Sequence, residues 1–262
     1  MSEPLVLRED QGAVAVLTMN APARLNALSN AMIAALADAF DAIAADDSIR
    51  AVVLRGEGRA FCAGHDLREI QAARDAADGG EAAFATLFAN CAAMMQKIPA
   101  LPQPVIAQVQ GIATAAGCQL AASCDLIVAA TDARFGVNGV NIGLFCATPM
   151  VALTRKVAPA VAFEMLTTGE FMEAPRAQSV GLVNRIAPVA DLDEAALTLA
   201  RSIASKLPAA IRLGKAAFHA QTGLDLPAAY AKTGQTMVTN LMRDDTSEGI
   251  TAFIEKRPPT WG

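Results

Sequence analysis

From Ala13 to Met19 the chain is almost continuously apolar, and a second such run spans Ala51 to Leu54. Short apolar runs of this kind read as buried strands, and Leu5 to Leu7 reads as a further one. Between them Ile33, Leu36, Phe40 and Ile43 recur at the spacing of one helix face, with Ser29 standing where a helix cap belongs. The pattern predicts strand, strand, helix and strand over the first 60 residues, the helix starting at about Asn30. An Ala-rich helix follows over 81–97, after which Pro102 and Pro104 force the chain into extended geometry leading to a strand over 105–109. Gly111 opens a turn before a short helix over 116–123 and a strand over 126–130. Strands alternating with helices predict an α/β core. After about Asp191 strand signals cease, and helices are predicted at roughly 192–206, 208–221, 225–241 and 247–256.

With 262 residues, 53% of them hydrophobic and 18% charged, the chain is enough for one compact core and too short for two full domains. A boundary near residue 200 is then a change of layer. The net charge of -5 excludes a general affinity for nucleic acid, which needs a concentrated basic face. An anionic ligand would need a local basic site. Five cysteines, Cys62, Cys91, Cys118, Cys124 and Cys146, are odd in number and lack metal-ligand spacing, in a chain with no apparent signal peptide. They predict reduced thiols and a cytoplasmic protein. No apolar run reaches the length of about 18 residues expected of a membrane span.

Two glycine turns carry the candidate chemistry. In Arg59-Ala60-Phe61-Cys62-Ala63-Gly64-His65-Asp66-Leu67 an apolar strand runs into Gly64 and then into a polar helix start. Gly64 can turn successive amides toward one point, or the segment is an ordinary strand-to-helix turn capped by Asp66. In Val109 to Leu120 the small residues of Gly111-Ile112-Ala113-Thr114-Ala115-Ala116-Gly117 bring a helix start close to whatever lies above it. Helix starts offer unpaired amides and a positive dipole end, suited to an anionic oxygen; tight packing alone also explains small residues.

Taken in order, Arg24-Leu25-Asn26-Ala27-Leu28, the Ala63-Gly64-His65-Asp66-Leu67 turn, Gly111 to Asp125, Phe135-Gly136 and Phe253-Ile254-Glu255-Lys256-Arg257 resemble the crotonase superfamily, the enoyl-CoA hydratase/isomerase family, over nearly the whole chain. Gly64-His65-Asp66-Leu67, Ala115 to Leu120 and Gly143-Leu144-Phe145-Cys146 are most similar to its enoyl-CoA hydratase domain-containing protein 3 branch. The resemblance implies a crotonase-like spiral of ββα units over 1–200 and a C-terminal helical oligomerisation module over 201–262. It implies a homotrimer or a dimer of trimers. It also implies no cofactor and no metal, with a coenzyme A thioester as ligand or substrate.

In that family two backbone amides grip the thioester oxygen, and the matching positions here are His65 and Ala116. Coenzyme A would lie along Ala63, His65, Asp66, Leu67 and Arg68, with Arg24, Lys256 and Arg257 near its phosphates. Each of these three is equally readable as a solvated surface charge. The family's two catalytic glutamates fall on Gln119 and Gly139, an amide and a residue with no side chain, neither of which transfers a proton at neutral pH. Efficient enoyl-CoA hydration is therefore doubtful. What remains is an enzyme relying on the oxyanion hole with Gln119 positioning water or substrate, such as a malonyl-type acyl-CoA decarboxylase, or a non-catalytic acyl-CoA binder or sensor. Nearby polar groups are His65, Asp66, Cys118, Asn138, Asn141 and Cys146. Each has a plain alternative: His65 facing solvent, Asp66 as a cap, the cysteines as small core residues.

Overall fold

The computed structural model describes residues 3–261. Strands β1 (Val6–Gln11) and β2 (Val14–Met19) form a hairpin, followed by α1 (Asn30–Ala44), β3 (Ala51–Gly56), α2 (Leu67–Ala73) and α3 (Glu81–Ala100). Then come β4 (Val105–Val109), β5 (Ile112–Thr114), α4 (Ala116–Ser123), β6 (Leu126–Ala130) and β7 (Arg134–Gly136). Helices α5 (Ala147–Leu153) and α6 (Pro159–Thr168), strand β8 (Met172–Glu173), helix α7 (Ala174–Ser179) and strand β9 (Arg185–Ala187) complete the sheets. Four helices end the chain: α8 (Leu192–Ala204), α9 (Pro208–Gln221), α10 (Leu226–Leu241) and α11 (Asp244–Ile254).

A six-stranded sheet runs β1-β2-β3-β4-β6-β9, parallel from β2 onward, and a smaller one runs β5-β7-β8. All of β2 and β4 is buried, as expected of strands covered on both faces. Helix α1 buries Met32, Ile33, Leu36, Phe40 and Ile43, and Ser29 caps it by accepting from the Met32 amide at 3.1 Å. One expected strand fails to form. The apolar run before Gly64 pairs only through an isolated bridge from Cys62 to Ala113. It is a short clasp: α4 begins three residues after Ala113 and α2 five residues after Cys62.

The final helices are joined to the core by a buried charge cluster. Lys215 on α9 donates to the Ile98 and Gln103 carbonyls at 2.8 and 2.9 Å and to Asp125 Oδ2 at 2.7 Å, while His219 Nε2 lies 3.0 Å from Asp125 Oδ1. Burial raises the Asp125 carboxyl, but His219, Lys215 and the Val105 amide outweigh it, so the group sits below its ordinary value.

Candidate functional site

Strands β3 and β4 are parallel neighbours, so their carboxyl ends open on the same edge of the sheet, where ligands of open α/β sheets bind. The two glycine turns emerge there. The first is held by the N-terminal segment: Leu28 N donates to Gly64 O at 2.7 Å, Ala63 N to Leu25 O at 3.0 Å and Asp66 N to Leu28 O at 3.3 Å. Buried Asn26, in left-handed geometry at φ 52°, donates to the Glu57 and Ala60 carbonyls, both at 2.9 Å. Its role as a strut under the turn was not legible from sequence; the one available signal is an asparagine, the side chain most tolerant of that geometry.

The second turn lies directly against the first. Cys62 N donates to Ile112 O at 3.2 Å and Thr114 N to Cys62 O at 3.0 Å. Gly64 has φ +89°, and a Cβ there would stand 3.0 Å from Ala115 Cβ and 3.3 Å from Ala116 N. A Cβ on Gly117 would run into the Cys62 carbonyl. Both glycines are required by close approach. Ala115 has φ 49° and ψ −120°, a conformation costly for a residue with a side chain, and it aims the start of α4 at Gly64. Neither the His65 nor the Ala116 amide has a hydrogen-bond acceptor among the described residues. Two main-chain donors stand unspent where the turns meet.

Gln119 lies one turn into α4, 6% exposed, and its Oε1 is buried with no partner. Gly139 sits in a 3-10 turn over Asn138–Ile142. A Cβ there would meet the Leu144 carbonyl and lie 2.8 Å from Cys146 Sγ. The place of a side chain at 139 is filled by the backbone of 144 and the Cys146 thiol, held in part by the bond from Leu144 N to Gly139 O at 2.9 Å. Asn138 Oδ1 accepts from Thr114 Oγ1 at 2.6 Å, and Asn141 Nδ2 donates to Gly169 O at 3.2 Å, so both amides are engaged within the fold.

The remaining residues divide into two groups. Asp66 caps α2 through the Arg68 amide at 2.9 Å and pairs with Arg24 at 2.8 Å. Burial raises its carboxyl, but these bonds more than offset that, keeping it below its ordinary value. Leu67 and Arg68 are exposed beside it and Ala63 is half-buried. Lys256 and Arg257 follow α11, which packs on α10. Arg257 is taken up by Glu248 and Glu255 of its own tail, the Glu248 contacts being 2.6 and 2.9 Å. The structure thus gathers Arg24 and residues 63–68 around the turns, while Arg257 is held by carboxylates of its own tail.

Burial pushes the Cys62 and Cys118 thiols up to about 12 and raises Cys146 as well. They are small core residues, not thiolate nucleophiles. All five cysteines are unpaired. The described residues hold no group of three or more metal-ligating side chains, and no helix among them is long and apolar enough to cross a membrane.

Residues 9–262 match the enoyl-CoA hydratase/isomerase family. Human mitochondrial enoyl-CoA hydratase domain-containing protein 3 is 43% identical over 94% of this chain and 79% of its own. The crystal structure of the human domain-containing protein 3 superposes with a TM-score of 0.93 at 41% identity, covering 98% of this chain and 100% of that one. An enoyl-CoA hydratase from Mycobacterium smegmatis superposes with a TM-score of 0.94 at 51% identity, covering 99% of each chain. In sequence and in fold, a crotonase-like α/β spiral with trailing helices, the chain belongs to the enoyl-CoA hydratase/isomerase family.

Proposed function

We propose that the chain binds an acyl-CoA thioester and polarises its carbonyl between the His65 and Ala116 amides, stabilising enolate character without efficiently hydrating enoyl-CoA. The observation that carries this reading is the junction of the two turns. Gly64 backs onto Ala116 N, and both amides lack an internal acceptor. Because the donors belong to the main chain, alanine at 116 does the work of any other residue. One such donor is worth about 10²–10³ in rate when charge develops on the oxygen.

The weak hydration follows from chemistry and space together. Gln119 cannot ionise, and the loop over 143–146 leaves no room for a carboxylate at 139. Missing acid and base groups cost about 10²–10⁴ each. The same closed position favours a second reading, a binder or sensor that holds the thioester without converting it.

Residues 63–68 and Arg24 are the proposed cradle for coenzyme A, with Lys256 and Arg257 reaching the nucleotide from a neighbouring subunit. Exposed Phe218, Tyr230, Met242, Phe253 and Ile254 on α9–α11 fit a homotrimer or dimer of trimers. Five unpaired thiols fit a cytoplasmic setting. The test is spectroscopic. A conjugated enoyl-CoA should shift its absorption to the red on binding, and the thioether analogue lacking the carbonyl should bind more weakly. Equal binding of both with no shift would remove the oxyanion reading. Binding with a shift, but no turnover across a panel of acyl-CoAs, would select the sensor.

A further inference from the structure

We propose that Lys156 is an acceptor of acyl groups from thioesters, a modification site separate from the two glycine turns. Lys156 donates to the backbone of Asp125, which directly precedes β6, a strand parallel to β4. The site therefore lies at the amino-terminal edge of the sheet, opposite the edge where the turns emerge. Lys156 follows α5 in a stretch where Thr154, Arg155 and residues 158–160 are exposed, and its own side chain is half-buried. The amine reaches the Asp125 carbonyl oxygen at 2.9 Å and pairs with no carboxylate among the described residues. It is held in place by a neutral group and left without a counter-ion in contact.

The carboxylate of Asp125 is already committed. Its Oδ2 accepts from Lys215 Nζ and from the Val105 amide, both at 2.7 Å, and Oδ1 lies 3.0 Å from His219 Nε2. Two lysines thus stand at one acidic residue, and only Lys215 touches its charge. Burial without an anion in contact, next to a second cation, is the setting that keeps a lysine uncharged and nucleophilic. Burial lowers the Lys156 amine below its ordinary value by more than Cys124 and Asp125 raise it, and Lys215 lowers it further. The neighbouring nucleophiles do not compete. Lys215 spends its three N–H donors on the Ile98 and Gln103 carbonyls and on Asp125, and burial pushes the Cys124 thiol up to about 12.

The step balances without a co-reactant. The Lys156 Nζ lone pair attacks the carbonyl carbon of the thioester, a C–N bond forms, the C–S bond breaks, and sulfur leaves with the electron pair as thiolate. The nitrogen gives up one proton to solvent. The amide that results keeps an N–H for the Asp125 carbonyl. It can no longer carry charge, which leaves Lys215 and Asp125 matched one to one. The site takes the same class of reagent as the glycine turns but does not depend on them.

The experiment incubates the full chain with isotopically labelled acetyl-CoA and follows each lysine by peptide mass spectrometry, in buffer and in urea. In the folded chain Lys156 should be acetylated about tenfold faster than the exposed Lys206, Lys232 and Lys256, and in urea at the same rate as they are. Across a pH series its rate should level off at lower pH in the folded chain than in urea. S-acetyl-N-acetylcysteamine, a thioester without the nucleotide, should show the same preference. Lys156→Arg keeps a cation at the Asp125 carbonyl and should leave the labelling of the other lysines unchanged. Labelling of Lys156 no faster than the exposed lysines in the folded chain overturns the proposal, as does an advantage that persists in urea. A preference seen with acetyl-CoA and absent with the short thioester also overturns it, since the reactivity would then belong to the proposed coenzyme A cradle.

Discussion

The joint between the two glycine turns and the loop from Val137 to Cys146 respond to substitution in opposite ways. At the joint, the proposed chemistry rests on peptide groups, so Ala116 and His65 would supply donors whatever their side chains. At the loop, the proposed reading would need a side chain at position 139, and glycine has none. The space a side chain would take there is filled by the Leu144 carbonyl and the Cys146 thiol. A function built on main-chain geometry tolerates sequence drift as long as its glycines remain. One built on a carboxylate ends with a single replacement, and neighbouring backbone then closes over the gap.

The contrast breaks most severely if the joint is forced apart. Gly117→Ala pushes a methyl group into the Cys62 carbonyl, and overpacking at rigid backbone should cost about 3 kcal/mol in urea denaturation. Thioester binding should be lost with it. Retention of both stability and binding would show that the turns do not depend on this approach.

The loop side is sharpened by trying to restore the carboxylates. Gln119→Glu with Gly139→Glu should lose about 1–3 kcal/mol through the clash at 139 and gain no crotonyl-CoA hydration. Gln119→Glu alone buries a carboxyl, which raises its pKa in the folded state. The folded protein then holds the proton more tightly than the unfolded one. The variant should match the parent below the ordinary glutamate range and lose stability as pH rises through it. A pH-independent difference, or a gain of hydration in the double variant, would contradict the closed-loop account.

The smallest expected effect has the opposite sign. Ala115→Gly removes a side chain from φ 49° and should stabilise the fold by about 1 kcal/mol, with strain relief exceeding the greater freedom of the unfolded chain. A lower thermal midpoint would show that Ala115 contributes packing worth more than its backbone costs.

How much of this was readable beforehand depends on the range over which each feature is determined. Helix α1 was legible because Ile33, Leu36, Phe40 and Ile43 declare a face within a few turns, and the final four helices were legible for the same reason. Strands β5, β7, β8 and β9 are two or three residues long and carry no period. The supposed strand before Gly64 failed because pairing depends on how long its partner stays alongside. At the site, Gly64 and the small residues of 111–117 announced tight turns. The closure of Gly139 could not be seen, since it depends on where residues 143–146 pass in space. Nor could the setting of His65, whose ring meets Phe88 of α3 edge-on, 23 positions along the chain.

Lys215 sets a boundary on how this molecule can assemble. Subunits that trade terminal segments must first extract that segment from their own body, and low-cost exchange requires a connection that releases cleanly. Here release would draw an ammonium away from two carbonyls and a carboxylate, leaving Asp125 in the interior with the Val105 amide but without either α9 partner. Exchange of any terminal segment that includes α9 should therefore be costly, whereas α10 and α11 lie beyond the anchor.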